Sequence, residues 1–239
     1  MLSTLPDGYR ALVIGAQGGL GAAFVQHLQA DPRCGAVWGA VRSPEAANEV
    51  RLDLQEPASI EQAAGSLRPH GPFHVLIDAT GVLTLGGTPP EKRLADLDAE
   101  HMARVFAVNA IGPALVLKHM VDLLPAKGRC IAATLSARVG SIGDNHKGGW
   151  YSYRASKAAL NMLWRTASIE VARRRPEAVL MALHPGTVFS NLSAPFVAPG
   201  EVRPGLMHPQ DAAARLLAVM DTAQESGSFK AWDGQTIEW

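Results

Sequence analysis

The sequence predicts an α/β fold, a doubly wound parallel sheet of about seven strands with helices on both faces. Short apolar runs alternate with helix-patterned stretches from end to end of its 239 residues. A glycine-rich turn, Gly15-Ala16-Gln17-Gly18-Gly19-Leu20-Gly21, joins the first apolar run to the first helical stretch. The composition, 47% hydrophobic and 18% charged, is that of an ordinary globular protein, and the length suits one domain over residues 1–239.

The strand-like runs are Arg10 to Gly15, Ala36 to Val41, Val50 to Leu52, Val75 to Ile77, Arg129 to Thr134 and Val179 to Leu183. Helical patterns lie near Leu20 to Ala30, Pro57 to Leu67, Asp98 to Leu124, Tyr151 to Arg174 and Pro209 to Asp221. A last short strand near Phe229 to Trp232 closes one sheet edge. Two stretches read as loops: Val139 to Gly149, and Pro185 to Pro209 with its five prolines. The second has the length of a functional lid, placed at about 187–208.

Charge and cysteine usage narrow the classes. With 22 basic and 22 acidic residues there is no electrostatic drive toward nucleic acid or an anionic membrane. The run Arg173-Arg174-Arg175 falls at a predicted helix end, where cations favour the helix dipole. Cys34 and Cys130 lack metal-ligand spacing, and Met1 to Arg10 lacks a signal-peptide core. The expectation is a soluble, cytoplasmic protein with no metal and no membrane span.

The glycine turn carries the first chemical signal. Glycines at a strand-to-helix junction let backbone N–H groups approach a pyrophosphate at the helix N-terminus, which makes Gly15, Gln17, Gly19, Leu20 and Gly21 cofactor-binding candidates. The second strand ends in Ala40-Val41-Arg42, with no carboxylate for the ribose hydroxyls; Arg42 suits a 2′-phosphate, so NADP(H) is expected over NAD(H). Asp53-Leu54 follows the third strand, where Asp53 either accepts from an adenine amine or serves a helix N-terminus.

The second signal is Tyr153-Arg154-Ala155-Ser156-Lys157. Residues four apart share a helix face, so phenol and ammonium can enter one pocket, and a cation beside a phenol stabilises its phenolate. Tyr151 lacks such a lysine, since its fourth neighbour is Ala155. His184, before Pro185, reads as structural.

In order along the chain stand the glycine turn, Asp53, Asn109 within Phe106-Ala107-Val108-Asn109-Ala110, Ser136, Tyr153-x-x-x-Lys157 and Pro185-Gly186-Thr187. In that joint order the chain resembles the Rossmann-like short-chain dehydrogenases/reductases over its whole length. The stretch Leu135 to Leu163 is similar to their C-factor-like branch. The resemblance implies an oxidoreductase that moves hydride between nicotinamide and a small carbonyl or alcohol substrate. Tyr153 would be the acid/base, Lys157 the ribose holder that lowers the tyrosine pKa, Ser136 the carbonyl donor and Asn109 the anchor of a proton relay. Thr80, Gly81, Pro185, Gly186, Thr187 and Val188 would line the cofactor, and assembly as a homodimer or homotetramer would run through the two long helices. A catalytically silent dinucleotide-binding regulatory or signalling protein of the same fold is the alternative.

Three positions depart from the family pattern. Asp78-Ala79-Thr80-Gly81 stands where many members read Asn-Asn-Ala-Gly, and a buried Asp78 needs a partner. Counted back from Gly140, the usual serine place falls on Ala137, one residue after Ser136, with Ser141 as the other donor. Ile14 replaces a threonine before the glycine turn. Phe189, Leu192, Phe196, Val197, Leu206 and Met207 make the lid apolar; they either meet a hydrophobic substrate or pack the lid down.

Overall fold

The computed structural model describes residues 2–190, 192–194 and 206–239. Seven parallel strands form one sheet in the order β3-β2-β1-β4-β5-β6-β9. They are β1 (Tyr9–Ile14), β2 (Cys34–Val41), β3 (Glu49–Arg51), β4 (Val75–Asp78), β5 (Cys130–Leu135), β6 (Ala178–His184) and β9 (Ser228–Ala231). β7 (Thr187–Val188) and β8 (Leu206–Met207) pair separately and were not anticipated from sequence.

The helices are α1 (Gly19–Gln29), α2 (Pro57–Leu67), α3 (Ala99–Phe106), α4 (Gly112–Met120), α5 (Tyr151–Ala172) and α6 (Pro209–Thr222). Local chemistry sets their starts. Pro57 and Pro209 open α2 and α6, where a missing N–H costs nothing. The Asp98 side chain accepts from His101 N–H at 2.7 Å and caps α3.

Central strands are buried from end to end because helices cover both faces. On one face α2, α4 and α5 pack Ile60, Leu67, Val116, Met120, Leu160 and Trp164 against the sheet. On the other, α1 and α6 bring Phe24, Leu28, Leu216 and Met220. The run 99–123 is long and apolar enough to cross a membrane by length and composition, but half of that window is buried in the fold.

One long helix over Asp98 to Leu124 is corrected in detail. A π-helical turn, Ala107–Ile111, separates α3 from α4, and a 3₁₀ turn ends the run at Val121–Leu123. Such a turn inserts an extra residue into the helical ladder and re-aims the side chain it carries, here Asn109.

Candidate active site

The C-terminal strand ends meet at the crevice between β1 and β4, where the strand order reverses and such sheets take their ligands. The glycine turn forms one wall. Gly15 has φ of +77°, and a Cβ on Gly21 would lie 2.0 Å from the Gly15 carbonyl oxygen, so no side chain fits between turn and helix. No side chain caps α1, which leaves its first N–H groups for a ligand. Gln17 Nε2 donates to Ser43 O at 3.0 Å and to Glu49 at 3.3 Å, tying the turn to the segment after exposed Arg42. Asp53 Oδ1 accepts from Gln55 N–H at 2.9 Å, and Leu54 is buried against Gly112.

α5 carries the tyrosine and lysine, and its start is fixed from outside. Gly148, Gly149 and Trp150 are all left-handed, at φ of +63°, +67° and 54°. Trp150 N–H donates to the Glu91 carbonyl, and the buried Glu91 carboxylate accepts from both the N–H and the hydroxyl of Ser152. Tyr153 and Lys157 then enter the interior at 7% and 2% exposure. Lys157 Nζ donates to Leu135 O at 2.8 Å. Among the described residues the Tyr153 hydroxyl has no hydrogen-bond partner.

Burial pushes the Tyr153 phenol up to about 12. Burial also pulls Lys157 down to about 8, against the raising effect of the Asp78 charge. The lowering of Tyr153 by Lys157 expected from sequence is therefore outweighed in the chain alone, because desolvation of the phenolate dominates and the lysine donates to a carbonyl.

Asn109 is fully buried in the π turn. Its Nδ2 donates to Val82 O at 2.8 Å and to Ser156 Oγ at 3.2 Å, and its Oδ1 accepts from Val82 N–H at 2.8 Å. Asn109 thus clamps the loop after β4 onto α5. Gly81, at φ +149°, lies between: a Cβ there would meet Lys157 Nζ at 3.1 Å and Asn109 Oδ1 at 3.5 Å. Thr80 donates through both its hydroxyl and its N–H to Asp78 Oδ1, at 2.5 and 3.1 Å. Thr134 donates to Asp78 Oδ2 at 3.2 Å. Those two threonines are the partners that the sequence could not supply for Asp78.

Ser136 follows the residue whose carbonyl holds Lys157. Its hydroxyl donates to Asn161 Oδ1 at 2.6 Å, it is 4% exposed, and it faces the interior beside α5. Asn161 thus holds the hydroxyl that the family resemblance would aim at a substrate carbonyl. Ser141, also buried, accepts from Asp144 N–H at 3.1 Å. Ala137 follows Ser136 in extended backbone, so alternation turns its Cβ to the opposite face.

At the end of β6, the Pro185-Gly186-Thr187 turn needs its glycine. Gly186 has φ +78°, and a Cβ would lie 2.8 Å from Met207 Cε and 2.9 Å from Trp232 Cδ1. Burial, with Arg138 adding to it, lowers His184 to about 4, so the ring is neutral at pH 7. Of the apolar lid residues, Phe189 stacks on His208 at 5.1 Å and donates its N–H to Met207 O, while Met207 covers Gly186. These two pack the base of the lid; Phe196 and Val197 lie outside the described residues. Ser190 was missed from sequence: its Cβ lies 3.6 Å from where a Gly19 Cβ would be, over the glycine turn. A hydroxyl shortly after a proline-glycine turn was the available signal.

A parallel sheet with a glycine turn at its switch point and a buried tyrosine–lysine pair on one helix define a dinucleotide-dependent dehydrogenase class. The chain belongs to the short-chain dehydrogenase family, whose model matches residues 9–199, and to its C-factor-like branch. It is 35% identical to "C-signal" of Myxococcus xanthus over 71% of this chain and 94% of that protein. It is 33% identical to the 1-hydroxy-2-glutathionyl-2-methyl-3-butene dehydrogenase of Rhodococcus sp., over 80% of each. Among solved structures, the NADPH-bound carbonyl reductase from chicken fatty liver superposes with TM-score 0.85 at 25% identity, over 99% of this chain and 96% of that one. The carbonyl reductase Sniffer of D. melanogaster shares the fold at TM-score 0.82 and 21% identity, over 97% of this chain and 99% of that one.

Proposed function

We propose that the chain is an NADP(H)-dependent oxidoreductase of carbonyl reductase or alcohol dehydrogenase type, one catalytic domain with its lid over about 187–208. The observation that carries this reading is the burial of Tyr153 and Lys157 on one face of α5, with Gly81 and Asn109 against the lysine. The glycine turn fits a dinucleotide, because its geometry excludes a Cβ at Gly21 and leaves helix N–H groups for a pyrophosphate. Arg42 supports NADP, as does the NADPH held by the chicken relative.

A nicotinamide held there would supply or accept the hydride. Tyr153 gives its phenolic proton to the carbonyl oxygen in reduction and takes a hydroxyl proton in oxidation. Lys157 holds a ribose and places positive charge near the phenol, easing a phenolate that burial alone disfavours. Asn109 fixes the loop that carries Gly81, and Thr80, Pro185, Thr187, Val188 and Ser190 complete the cofactor wall.

The test is NADPH oxidation across a panel of ketones and aldehydes, with wild type beside Tyr153→Phe. The variant is expected to lose about 10²–10⁴-fold in kcat while still binding NADPH. Turnover at the wild-type rate in Tyr153→Phe would refute the tyrosine mechanism. NADPH binding without turnover on any substrate would favour a binding protein instead.

A further inference from the structure

We propose that Asp78 is a positioning residue for the reaction: its buried carboxylate is the fixed counter-charge that keeps the Lys157 ammonium charged within the site. For its functional consequence this rests on the reading of Lys157 given above. Asp78 is 0% exposed at the end of β4, and Lys157 is 2% exposed on α5. Two short chain segments join them. Thr134 bonds the carboxylate through its hydroxyl, and the next residue, Leu135, takes the lysine on its carbonyl. Thr80 bonds the other carboxylate oxygen, and the next residue, Gly81, lies against Lys157 Nζ.

Both charges are removed from water, and neither is stable there alone. Burial lowers the lysine pKa and raises that of the aspartate, and each group's charge opposes the shift in the other. Among the described residues Asp78 is the only charge that acts on Lys157, and the Leu135 carbonyl on β5 and the Asn109 carboxamide in the π turn beside it are neutral. Arg138, Asp144 and Asp233 act instead on His184 at the end of β6. A neutral asparagine, the residue many family members carry there, could still accept from the threonines. It could not supply the charge.

Asp78→Asn separates those two roles. In wild type, NADPH affinity followed by fluorescence without substrate is expected to fall as Lys157 loses its proton near pH 8. In Asp78→Asn the same fall is expected at least about one pH unit lower, because the cation has lost its partner. An unshifted transition would overturn the proposal. A second arm needs neither cofactor nor turnover, so it fails independently of the oxidoreductase reading. Lys157→Met leaves a buried, unpaired carboxylate, so Asp78→Asn/Lys157→Met is expected to unfold at a higher urea concentration than Lys157→Met alone. This arm reports even if Asp78→Asn does not fold by itself. A double variant no more stable than the single would also overturn the proposal.

Discussion

Ser136 and Ala137 divide what a single serine does in the family pattern: one has the hydroxyl, the other the place. The Ser136 hydroxyl is bound to Asn161, whereas the Ala137 Cβ faces away from that interior with nothing to donate. Ala137→Ser is therefore expected to raise kcat/KM for ketone reduction, by up to about 10²-fold, the scale of one oxyanion donor. Steady-state kinetics on the best substrate of the panel checks it; an unchanged value would mean that another group, Ser141 first, already donates. The tyrosine–lysine pair was readable because helical spacing is local, and the serine problem was readable because a one-residue register shift reverses a strand's faces. Thr134 as a partner of Asp78 was not, since it lies 56 residues along the chain on a neighbouring strand. Nor was the rise in the Tyr153 pKa, which depends on how completely the assembled fold buries the phenol.

At the scale of elements, the catalytic helix has its N-terminus secured by a side chain from another loop. Glu91, 5% exposed, binds both the N–H and the hydroxyl of Ser152, the residue before Tyr153. Burial raises the Glu91 pKa, but those hydrogen bonds more than offset it and the net shift is downward. A depressed carboxylate adds stability above its unfolded pKa of about 4.3 and loses it as pH falls through the lower folded value. Glu91→Gln is thus expected to cost about 1–3 kcal/mol at pH 7, from a charge-assisted bond, and progressively less as pH falls below about 4.3. Urea midpoints at pH 7 and pH 3.5 measure both, and equal midpoints at pH 7 would remove Glu91 as the anchor. Sequence periodicity located α5 to within two residues of its end but could not show the anchor, because Glu91 sits in an irregular loop after β4. The π turn was hidden for a different reason: the apolar pattern runs on through Val105, Val108, Val116 and Leu117 without marking the extra residue.

For the whole molecule, the parallel sheet covered on both faces followed from the alternation of elements, but the surface left over by that arrangement is visible only in three dimensions. Met162 and Ile169, two helical turns apart on α5, are 67% and 51% exposed, with Leu163 beside them at 41%. Ile111 stands 51% exposed on the π turn, which packs against α5. Apolar side chains grouped along two adjoining helices favour burial against another surface. A twofold axis across α5 would bring each stripe onto its own copy, which satisfies a self-complementary interface with one patch. The family resemblance supports the same helices as the assembly surface. Wild-type protein is therefore expected to sediment as a dimer or tetramer at about micromolar concentration, and Met162→Glu as a smaller species, since a carboxylate there must be desolvated against its symmetry mate. Because the residue is two-thirds exposed in the single chain, the substitution leaves the fold of the protomer intact, and circular dichroism serves as the control. A monomeric wild type would contradict the expectation, and an unchanged oligomer in Met162→Glu would move the interface away from α5.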